Sequence, residues 1–248
     1  MRKFRDLMAN EELYFRRADK FGKDPNEGIP QDDWLRAVLN LRRFIQEDEV
    51  ELNDHKGNLS QFRESSYISF WHVFEGEDPE MWKDFSPFGV AVCSRYDLLK
   101  NALSLFLDDL HLGLTEYKPP TRYNVFNFIF SKGSRFAGEK ELRVVLTCSD
   151  PVGANNRHYD KNNFPHDRPL KSNRLHKWVA DGKRRRIALS PLLTGIVLSP
   201  WASSKAHKEV ELWATLKKLN GAVRRSALKT KTLPTLRELA AVKGSREP

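Results

Sequence analysis

Apolar side chains recur along much of the chain at three- or four-residue spacing, which predicts amphipathic helices. The clearest series runs from Trp34 to Ile45 and predicts a helix over 30–49. Further helices are predicted over 78–85, 95–110, 203–219 and 234–242. Asp78 and Ser203 stand at the start of two of these segments, where their side-chain oxygens can cap the first turn.

Alternating or continuous apolar runs between these helices predict β-strands. The predicted strands cover 12–15, 67–74, 89–93, 122–130, 139–148, 186–189, 195–198 and 222–228. Helices and strands do not alternate strictly, which argues against a doubly wound parallel sheet. Because no repeat or linker divides the chain, we expect a single α+β domain over 1–230. Its core would be a mixed or antiparallel split sheet with flanking helices, and a basic helix and tail would follow over 231–248.

The segment 149–178 has no apolar period and is predicted to be a long loop. It carries His158, His166, His176, Asp160 and Asp167. Their spacing matches no zinc signature, so we expect no metal site there. The chain also lacks a P-loop, a G-x-G-x-x-G run and the common hydrolase motifs, so it offers no support for those enzyme classes.

Composition excludes global disorder and a membrane-spanning protein. Aromatic residues make up 11% of the 248 residues, enough for a buried core. Mean hydropathy is −0.61, and no apolar run approaches the ~20 residues that span a bilayer. The first residues carry no apolar stretch behind their charges, so we expect no secretory signal. Cys93 and Cys148 lie in apolar segments and are expected to be buried thiols of a cytoplasmic protein.

Positive charge is concentrated near the C-terminus. The chain has 42 Lys and Arg against 33 Asp and Glu, a net charge of +9, and residues 214–248 contain nine basic and two acidic residues. The candidate phosphate-binding residues are Arg184, Arg185, Arg186, Arg224 and Arg225. Such clusters suit a nucleic acid or a dinucleotide, but they equally suit a solvated surface.

The segment 139–143 is the strongest candidate for chemistry. On a strand, Glu139, Glu141 and Arg143 would share one face, and two carboxylates this close repel, which raises the pKa of one of them. The alternative is an exposed charged face on which Arg143 pairs with a neighbouring strand.

Two other segments could line a ligand site. In the strand over 67–74, Tyr67, Ser69 and Trp71 share one face and could hold a flat heteroaromatic ligand. The alternative is a satisfied serine between core aromatics. In the turn over 21–28, Asp24 and Glu27 could stand at the mouth of a cleft, or could serve only the turn itself.

These segments, in this order, resemble a bacterial and phage family known as domain of unknown function 2971. The matching segments are Phe4-Arg5, 12–15, 21–28, 68–71, Met81-Trp82, Gly89-Val90, 139–143 and 192–198. The order Arg, Ser and Glu-x-Glu also resembles the ADP-ribosyltransferase superfamily. That resemblance implies a split antiparallel β-sandwich with flanking helices.

The ADP-ribosyltransferase resemblance also implies roles for individual residues. Arg5, on the first strand, would bind the NAD phosphate or ribose, and Ser69 would support the nicotinamide pocket. Glu141 would hold the ribose 2′-hydroxyl and stabilise an oxocarbenium-like transition state, while Glu139 would orient or deprotonate the acceptor. Tyr14 or Trp71 would stack on the nicotinamide.

Two functions therefore stand as hypotheses. The first is an enzyme that consumes NAD as its substrate, a transferase or glycohydrolase acting as a toxin or phage-conflict effector, with a protein or nucleic acid as acceptor and no membrane partner. It predicts that Arg5, Ser69 and Glu141 meet in one cleft. The second is a nucleic-acid-binding or nuclease-like protein that uses the basic residues without NAD chemistry.

Overall fold

The chain divides into two compact units, each assembled from separate stretches. The computed structural model describes residues 1–21, 28, 30–73, 76–104, 109–147, 176–179, 182–219 and 222–228. The first unit combines Met1–Leu13, Phe74–Phe106 and Arg185–Pro248, and the second combines Tyr14–Val73 and Leu107–Arg184. Because neither unit is continuous in sequence, no linker marks the division. That residues 1–230 act as a single domain stays a prediction.

Helices and strands occur in both units. The helices are α1 (Arg2–Asn10), α2 (Asp32–Leu39), α3 (Gln46–Glu64), α4 (Pro79–Phe85), α5 (Tyr96–Leu103), α6 (Val125–Ile129), α7 (Leu189–Leu192) and α8 (Ser204–Leu216). The strands are β1 (Glu12–Arg17), β2 (Ser66–His72), β3 (Val90–Cys93), β4 (Asp109–Leu114), β5 (Glu141–Thr147), β6 (His176–Val179), β7 (Gly182–Arg186), β8 (Gly195–Leu198) and β9 (Ala222–Arg225).

The larger sheet has the strand order β4-β5-β2-β1-β7-β6. Strand β2 pairs antiparallel with β1 and β5, and β4 pairs antiparallel with β5. In the second unit, one apolar cluster joins Ala18, Ile68, Ile129 and Val145, and another joins Leu35, Leu52, Leu59 and Phe128. The predicted α+β class with an antiparallel sheet is therefore confirmed for the described part of the chain.

The smaller sheet belongs to the first unit and has the order β3-β8-β9. Its β3–β8 pair is antiparallel and its β8–β9 pair is parallel. Side-chain caps begin two helices of this unit. Asp78 accepts from the Glu80 N–H at 2.8 Å at the start of α4, and Ser203 accepts from the Ala206 N–H at 3.1 Å before α8. Such caps mark a helix start because they satisfy backbone N–H groups that the first turn leaves unbonded. The predicted starts of α4 and α8 are therefore confirmed.

The predicted helix over 30–49 is wrong because the chain turns inside it. Asn40 adopts a left-handed φ of 57° and ends α2, and Phe44, with a φ of 63°, precedes α3. Asparagine visits this conformation more readily than most residues, so it is a natural helix end. The apolar spacing from Trp34 to Ile45 happens to continue in phase across this break.

The predicted strand over 122–130 is also wrong, because residues 125–129 form the short helix α6. The Asn124 side chain accepts from the Phe126 N–H at 2.9 Å and so caps this helix. Phe128 is buried on it. Bulky aromatic residues favour strands, but here a local cap and a tertiary core decide the conformation.

Several predicted boundaries differ from the structure. The helix expected over 95–110 ends at Leu103, and β4 begins at Asp109. The strand expected over 186–189 is replaced by β7, which ends at Arg186, and by α7. Strand β6 overlaps the end of the loop expected over 149–178.

Some predictions fall outside the described residues. They concern Asp24, Glu27, Cys148, the remainder of the loop to residue 175 and the helix and tail over 231–248. In the part of the chain that the structure describes, no helix is long and apolar enough to cross a membrane.

Candidate functional site

The pairing of β2 with β5 decides which candidate residues share a face of the larger sheet. Glu141 lies opposite His72, Arg143 opposite Phe70, and Ser69 opposite Val144. Directly opposed residues point to the same side, and successive residues point to opposite sides. Glu141, Arg143, Phe70 and His72 therefore lie on one side, called here the Glu141 face.

Glu141 and Arg143 form a buried ion pair on this face. The Arg143 Nη2 and Nε atoms donate to Glu141 Oε2 at 2.9 and 3.1 Å. Arg143 is 0% exposed and Glu141 is 8% exposed. The guanidinium also donates to the backbone carbonyl of Ile129. The alternative of an exposed charged face is therefore wrong, because the charges are held inside the fold.

Lys132 joins the two carboxylates. Its Nζ lies 3.2 Å from Glu141 Oε1 and forms a shorter contact with Glu139 Oε2. The Lys132 side chain is 7% exposed and that of Glu139 is 16% exposed. The four groups form the charged cluster of the Glu141 face: Lys132, Glu139, Glu141 and Arg143. Glu139 is the carboxylate in it with the greater access to solvent.

Glu139 joins the cluster from a 3-10 helix and not from the strand that the sequence predicted. It ends a 3-10 helix over Ser134–Glu139 and is not part of β5. Lys140 follows with a left-handed φ of 40°, which turns the chain into the strand. His72 Nδ1 lies 2.8 Å from the Glu139 carbonyl oxygen and helps to hold this turn. The proximity of the two carboxylates thus comes from a turn rather than from strand alternation.

The pKa values of the two carboxylates shift in opposite directions. Burial raises the pKa of Glu139, and its hydrogen bond with Glu141 raises it further, against the opposing effect of Lys132. Burial would also raise the pKa of Glu141, but the charges of Arg143 and Lys132 outweigh burial and lower it. The predicted separation of the two pKa values therefore agrees with the structure, and Glu139 is the better proton acceptor.

Two hydroxyl groups complete the surroundings of Glu141. The Thr115 Oγ1 donates to Glu141 Oε2 at 3.5 Å, and the Glu141 backbone N–H donates to the Tyr117 hydroxyl at 2.7 Å. Burial raises the pKa of Tyr117, so its hydroxyl stays protonated at neutral pH. With Arg143, Lys132 and Thr115 all donating to it, Glu141 has little acceptor capacity left for a ligand.

Ser69 and Trp71 do not share the Glu141 face, which corrects the expectation that Ser69 and Glu141 meet in one cleft. Ser69 opposes Val144 and Trp71 opposes Leu142, so both point to the other side of the sheet. The physical reason is the alternation of side chains along a strand: Ser69 and Trp71 are each an odd number of residues from His72 and Phe70 respectively, so they point to the opposite side of the sheet.

Tyr14 and Phe70 supply aromatic surface on the Glu141 face. Arg16 opposes Ile68, so alternation along β1 places Tyr14 on this face as well. Tyr14 is 41% exposed and Phe70 is 40% exposed. The Phe70 ring centroid lies 5.4 Å from the Arg143 guanidinium carbon. Phe70 thus replaces Trp71 as the second aromatic residue beside the carboxylates.

Phe21, the last described residue before the segment that contains Asp24 and Glu27, contacts the Phe70 ring. The two rings pack edge-on, with centroids 5.1 Å apart and an interplanar angle of 61°. This contact places Phe21 beside the Glu141 face, while the predicted turn itself lies outside the described residues.

Arg5 lies in α1 of the first unit, so its expected position on the first strand is wrong. Phe4 and Met8, four residues apart, are buried along one side of this helix, which explains the helical conformation. The Arg5 side chain is not part of this buried side. Its Nε and Nη2 atoms both donate to the Glu209 carboxylate, and the Nη2 hydrogen bond is 2.7 Å long. Its side chain is 56% exposed.

Replacing Arg5 with alanine is expected to leave the midpoint of thermal unfolding unchanged within error. An exposed ion pair gains little Coulomb energy in water and loses side-chain entropy when it forms. Differential scanning fluorimetry of Arg5→Ala beside the wild type measures this. A clearly lower midpoint would mean that the pair with Glu209 holds α1 in place.

No family model, curated protein or solved structure matches this chain. The resemblances to domain of unknown function 2971 and to the ADP-ribosyltransferases therefore stay predictions.

The basic residues predicted to contact phosphates differ widely in exposure. Arg185 is 0% exposed, and burial lowers its pKa to about 9, so it cannot meet a nucleic-acid backbone as predicted. Arg224 donates to Glu77 at 2.7 Å, and Arg225 donates to the Ala202 carbonyl at 3.1 Å. Arg186 is exposed, and the half-buried Arg184 places its guanidinium carbon 5.9 Å from the Tyr14 ring centroid. Nucleic-acid binding stays a prediction.

Lys132 and Phe70 are the site residues that sequence reasoning missed. Lys132 lies in an irregular segment between two elements, where no periodicity marks it. Phe70 lies in a correctly predicted strand, but only the register between β2 and β5 shows that Phe70, and not its neighbour Trp71, shares the face of Glu141. Among the described residues, no group of three or more His, Cys, Asp or Glu side chains could hold a metal ion.

Proposed function

We propose that the second unit binds NAD on the Glu141 face and cleaves its nicotinamide–ribose bond, as a glycohydrolase or transferase. The observation that carries the proposal is the pair of carboxylates that Lys132 bridges, the more solvent-accessible of them being Glu139, beside a sheet face that carries two half-exposed aromatic rings. Paired carboxylates beside an apolar surface are suited to reactions that develop positive charge on a sugar carbon.

Glu139 is the reacting carboxylate in this proposal. As the bond from the ribose C1′ to the nicotinamide nitrogen breaks, its electron pair leaves with the neutral nicotinamide. A water or acceptor hydroxyl then attacks C1′, and Glu139 takes its proton. The raised pKa makes Glu139 a stronger base than an ordinary carboxylate. Its negative charge also stabilises the positive charge that builds on the sugar.

Glu141 acts as a positioning residue rather than as the ribose ligand. Its two oxygens already accept from Arg143 and Lys132, which hold it ionised. Its fixed negative charge raises the proton affinity of Glu139 and keeps Lys132 in place. This division of roles differs from the one implied by the resemblance, in which Glu141 holds the 2′-hydroxyl.

Tyr14 and Phe70 are the stacking surface for the nicotinamide or the adenine ring. Aromatic side chains stack on nucleobase-like rings without needing specific hydrogen bonds. The Arg184 guanidinium, near the Tyr14 ring, is a donor for a ligand phosphate beside that surface.

Replacing Glu139 with glutamine is expected to lower the rate of nicotinamide release about 10²–10⁴-fold, because the amide cannot accept the proton. The measurement is chromatographic quantification of nicotinamide released from NAD at neutral pH. Wild-type activity should also fall as the pH drops through the raised pKa of Glu139, since protonation removes the base.

Glu116 offers a matched control in the same unit. Its side chain is 62% exposed and pairs only loosely with Lys118, at 3.5 Å. Glu116→Gln should therefore retain the wild-type rate. The proposal is wrong if the wild-type protein releases no nicotinamide, or if Glu139→Gln releases it as fast as the wild type.

A further inference from the structure

Lys132 is the member of the charged cluster that contacts both carboxylates. Its Nζ lies 3.2 Å from Glu141 Oε1 and makes a shorter contact with Glu139 Oε2. The Lys132 side chain is almost fully buried. Lysine side chains are rarely buried unless they are paired, so the two carboxylates account for the position of this ammonium group.

The backbone around Lys132 also holds it in this position. The Lys132 N–H donates to the Glu116 carbonyl at 2.9 Å, and the Glu116 N–H donates to the Phe130 carbonyl at 2.8 Å. The Phe136 ring, on the 3-10 helix that ends at Glu139, has its centroid 4.6 Å from Lys132 Nζ. An ammonium group is attracted to an aromatic ring at this distance. Lys132 is therefore fixed from its backbone to its charged end.

The formal charges of the charged cluster sum to zero, because it contains two cations and two carboxylates. Arg143 donates to Glu141, whereas Lys132 pairs with both Glu139 and Glu141. Without the ammonium group, two neighbouring carboxylates would have one guanidinium between them, and repulsion would disfavour ionising both. The proton would then go to Glu139, because Glu141 keeps its hydrogen bonds from Arg143.

The other polar groups near these carboxylates do not replace the ammonium group. The Tyr117 hydroxyl accepts from the Glu141 N–H, and burial raises the pKa of Tyr117, so it stays uncharged at neutral pH. His72 Nδ1 lies 2.8 Å from the Glu139 backbone carbonyl oxygen, not from the carboxylate. The exposed Arg135 lies over the Phe136 ring. Within the described ranges, the cation that pairs with the Glu139 carboxylate is thus Lys132.

We propose that Lys132 is a positioning residue whose charge keeps Glu139 ionised, so that Glu139 can act as a base at neutral pH. The inference rests on the proposed function for the reaction that Glu139 serves. The effect of Lys132 on Glu139, however, is a property of the folded chain and can be measured without any substrate. Lys132 itself touches no reacting atom and acts through Glu139.

Carboxyl-carbon NMR of the chain labelled at glutamate measures the apparent pKa of Glu139, and Glu139→Gln assigns its signal. Lys132→Met keeps a side chain of similar length without the charge and should raise this pKa by about one pH unit or more. Lys132→Arg keeps the charge and should leave the pKa close to that of the wild type. Lys118→Met, which removes a lysine that is 65% exposed in the same unit, is the matched control and should not change it.

A double variant keeps the test decisive if Lys132→Met does not fold. Lys132→Met combined with Glu141→Gln removes one charge of each sign, so the cluster stays balanced. The apparent pKa of Glu139 should then return towards the wild-type value, because the like charge beside it is gone. A Glu139 pKa that stays high in a folded double variant would contradict the charge argument.

The pH dependence of nicotinamide release separates this role from a purely structural one. In Lys132→Met the acid limb of the profile should move to higher pH by as much as the NMR midpoint, and the two profiles should converge where Glu139 is ionised in both proteins. An equally lowered rate at every pH, or an unchanged Glu139 titration in Lys132→Met, overturns the proposal. If the titration moves as expected but the wild type releases no nicotinamide, the role of Lys132 stands and the proposed function fails.

Discussion

Replacing Arg143 with methionine is expected to lower the free energy of unfolding by about 3–5 kcal/mol, the usual effect of breaking a buried ion pair. The change removes three hydrogen bonds, two to Glu141 and one to the Ile129 carbonyl. Among the described residues, Lys132 is then the cation that remains beside the buried Glu141. Urea unfolding, followed by circular dichroism, measures the loss.

A double variant shows whether the loss comes from the pair itself. When Glu141→Gln accompanies Arg143→Met, no buried charge is left opposite the missing guanidinium, so the total loss should be smaller than the sum of the two single losses. Arg5→Met, at an exposed arginine, is the matched control and should change little. A loss below about 1 kcal/mol for Arg143→Met would mean that the buried pair contributes little to the stability of the fold, as is the case for some buried ion pairs.

Replacing Glu77 with alanine is expected to destabilise the first unit by about 1.5–3 kcal/mol, the range for hydrogen bonds to a charged group. The Glu77 side chain, 7% exposed, accepts from Arg224 at 2.7 Å and from the Ala227 N–H at 3.0 Å. Glu77 thereby holds the end of β9 and the residues that follow it in place. Hydrogen exchange over residues 222–228 should become faster in the variant, and unchanged exchange there would contradict this role.

The stabilisation that Glu77 provides should be lost at low pH. Burial alone would raise the pKa of Glu77, but hydrogen bonds from Ser226, Ala227 and Arg224 lower it below the ordinary value of 4.5. A carboxylate with a lowered pKa stabilises the fold fully above its ordinary value and loses that contribution as the pH falls through the folded value. The difference between wild type and Glu77→Ala should therefore shrink below about pH 4.5 and stay constant near neutrality.

Elements with strong local signals could be predicted from the sequence. The caps Asp78 and Ser203 mark α4 and α8, and the apolar runs mark β3 and β8. The break between α2 and α3 could not be predicted from apolar spacing, because the spacing continues across Asn40. Helix α6 could not be predicted either, because its aromatic side chains suit a strand, whereas the cap at Asn124 and the burial of Phe128 decide its conformation.

Only part of the candidate site could be predicted from the sequence. The pairing of Glu141 with Arg143 on one face follows from alternation along a single strand. The position of Ser69 relative to Glu141 depends on the register between two strands, and a shift of one residue reverses every face. Lys132 joins the cluster through tertiary folding alone.

The division of the chain between the two units has a consequence for biosynthesis. Every residue of the second unit has been translated once the ribosome has passed Arg184, whereas the first unit still awaits β8, α8 and β9. Domains generally fold as units, from the N-terminal end during synthesis. Met1–Leu13 and Phe74–Phe106 must therefore wait for the rest of their unit while the second unit matures. Slow or stalled translation beyond residue 185 would leave the apolar side of α1 incompletely covered and open to chaperones and proteases.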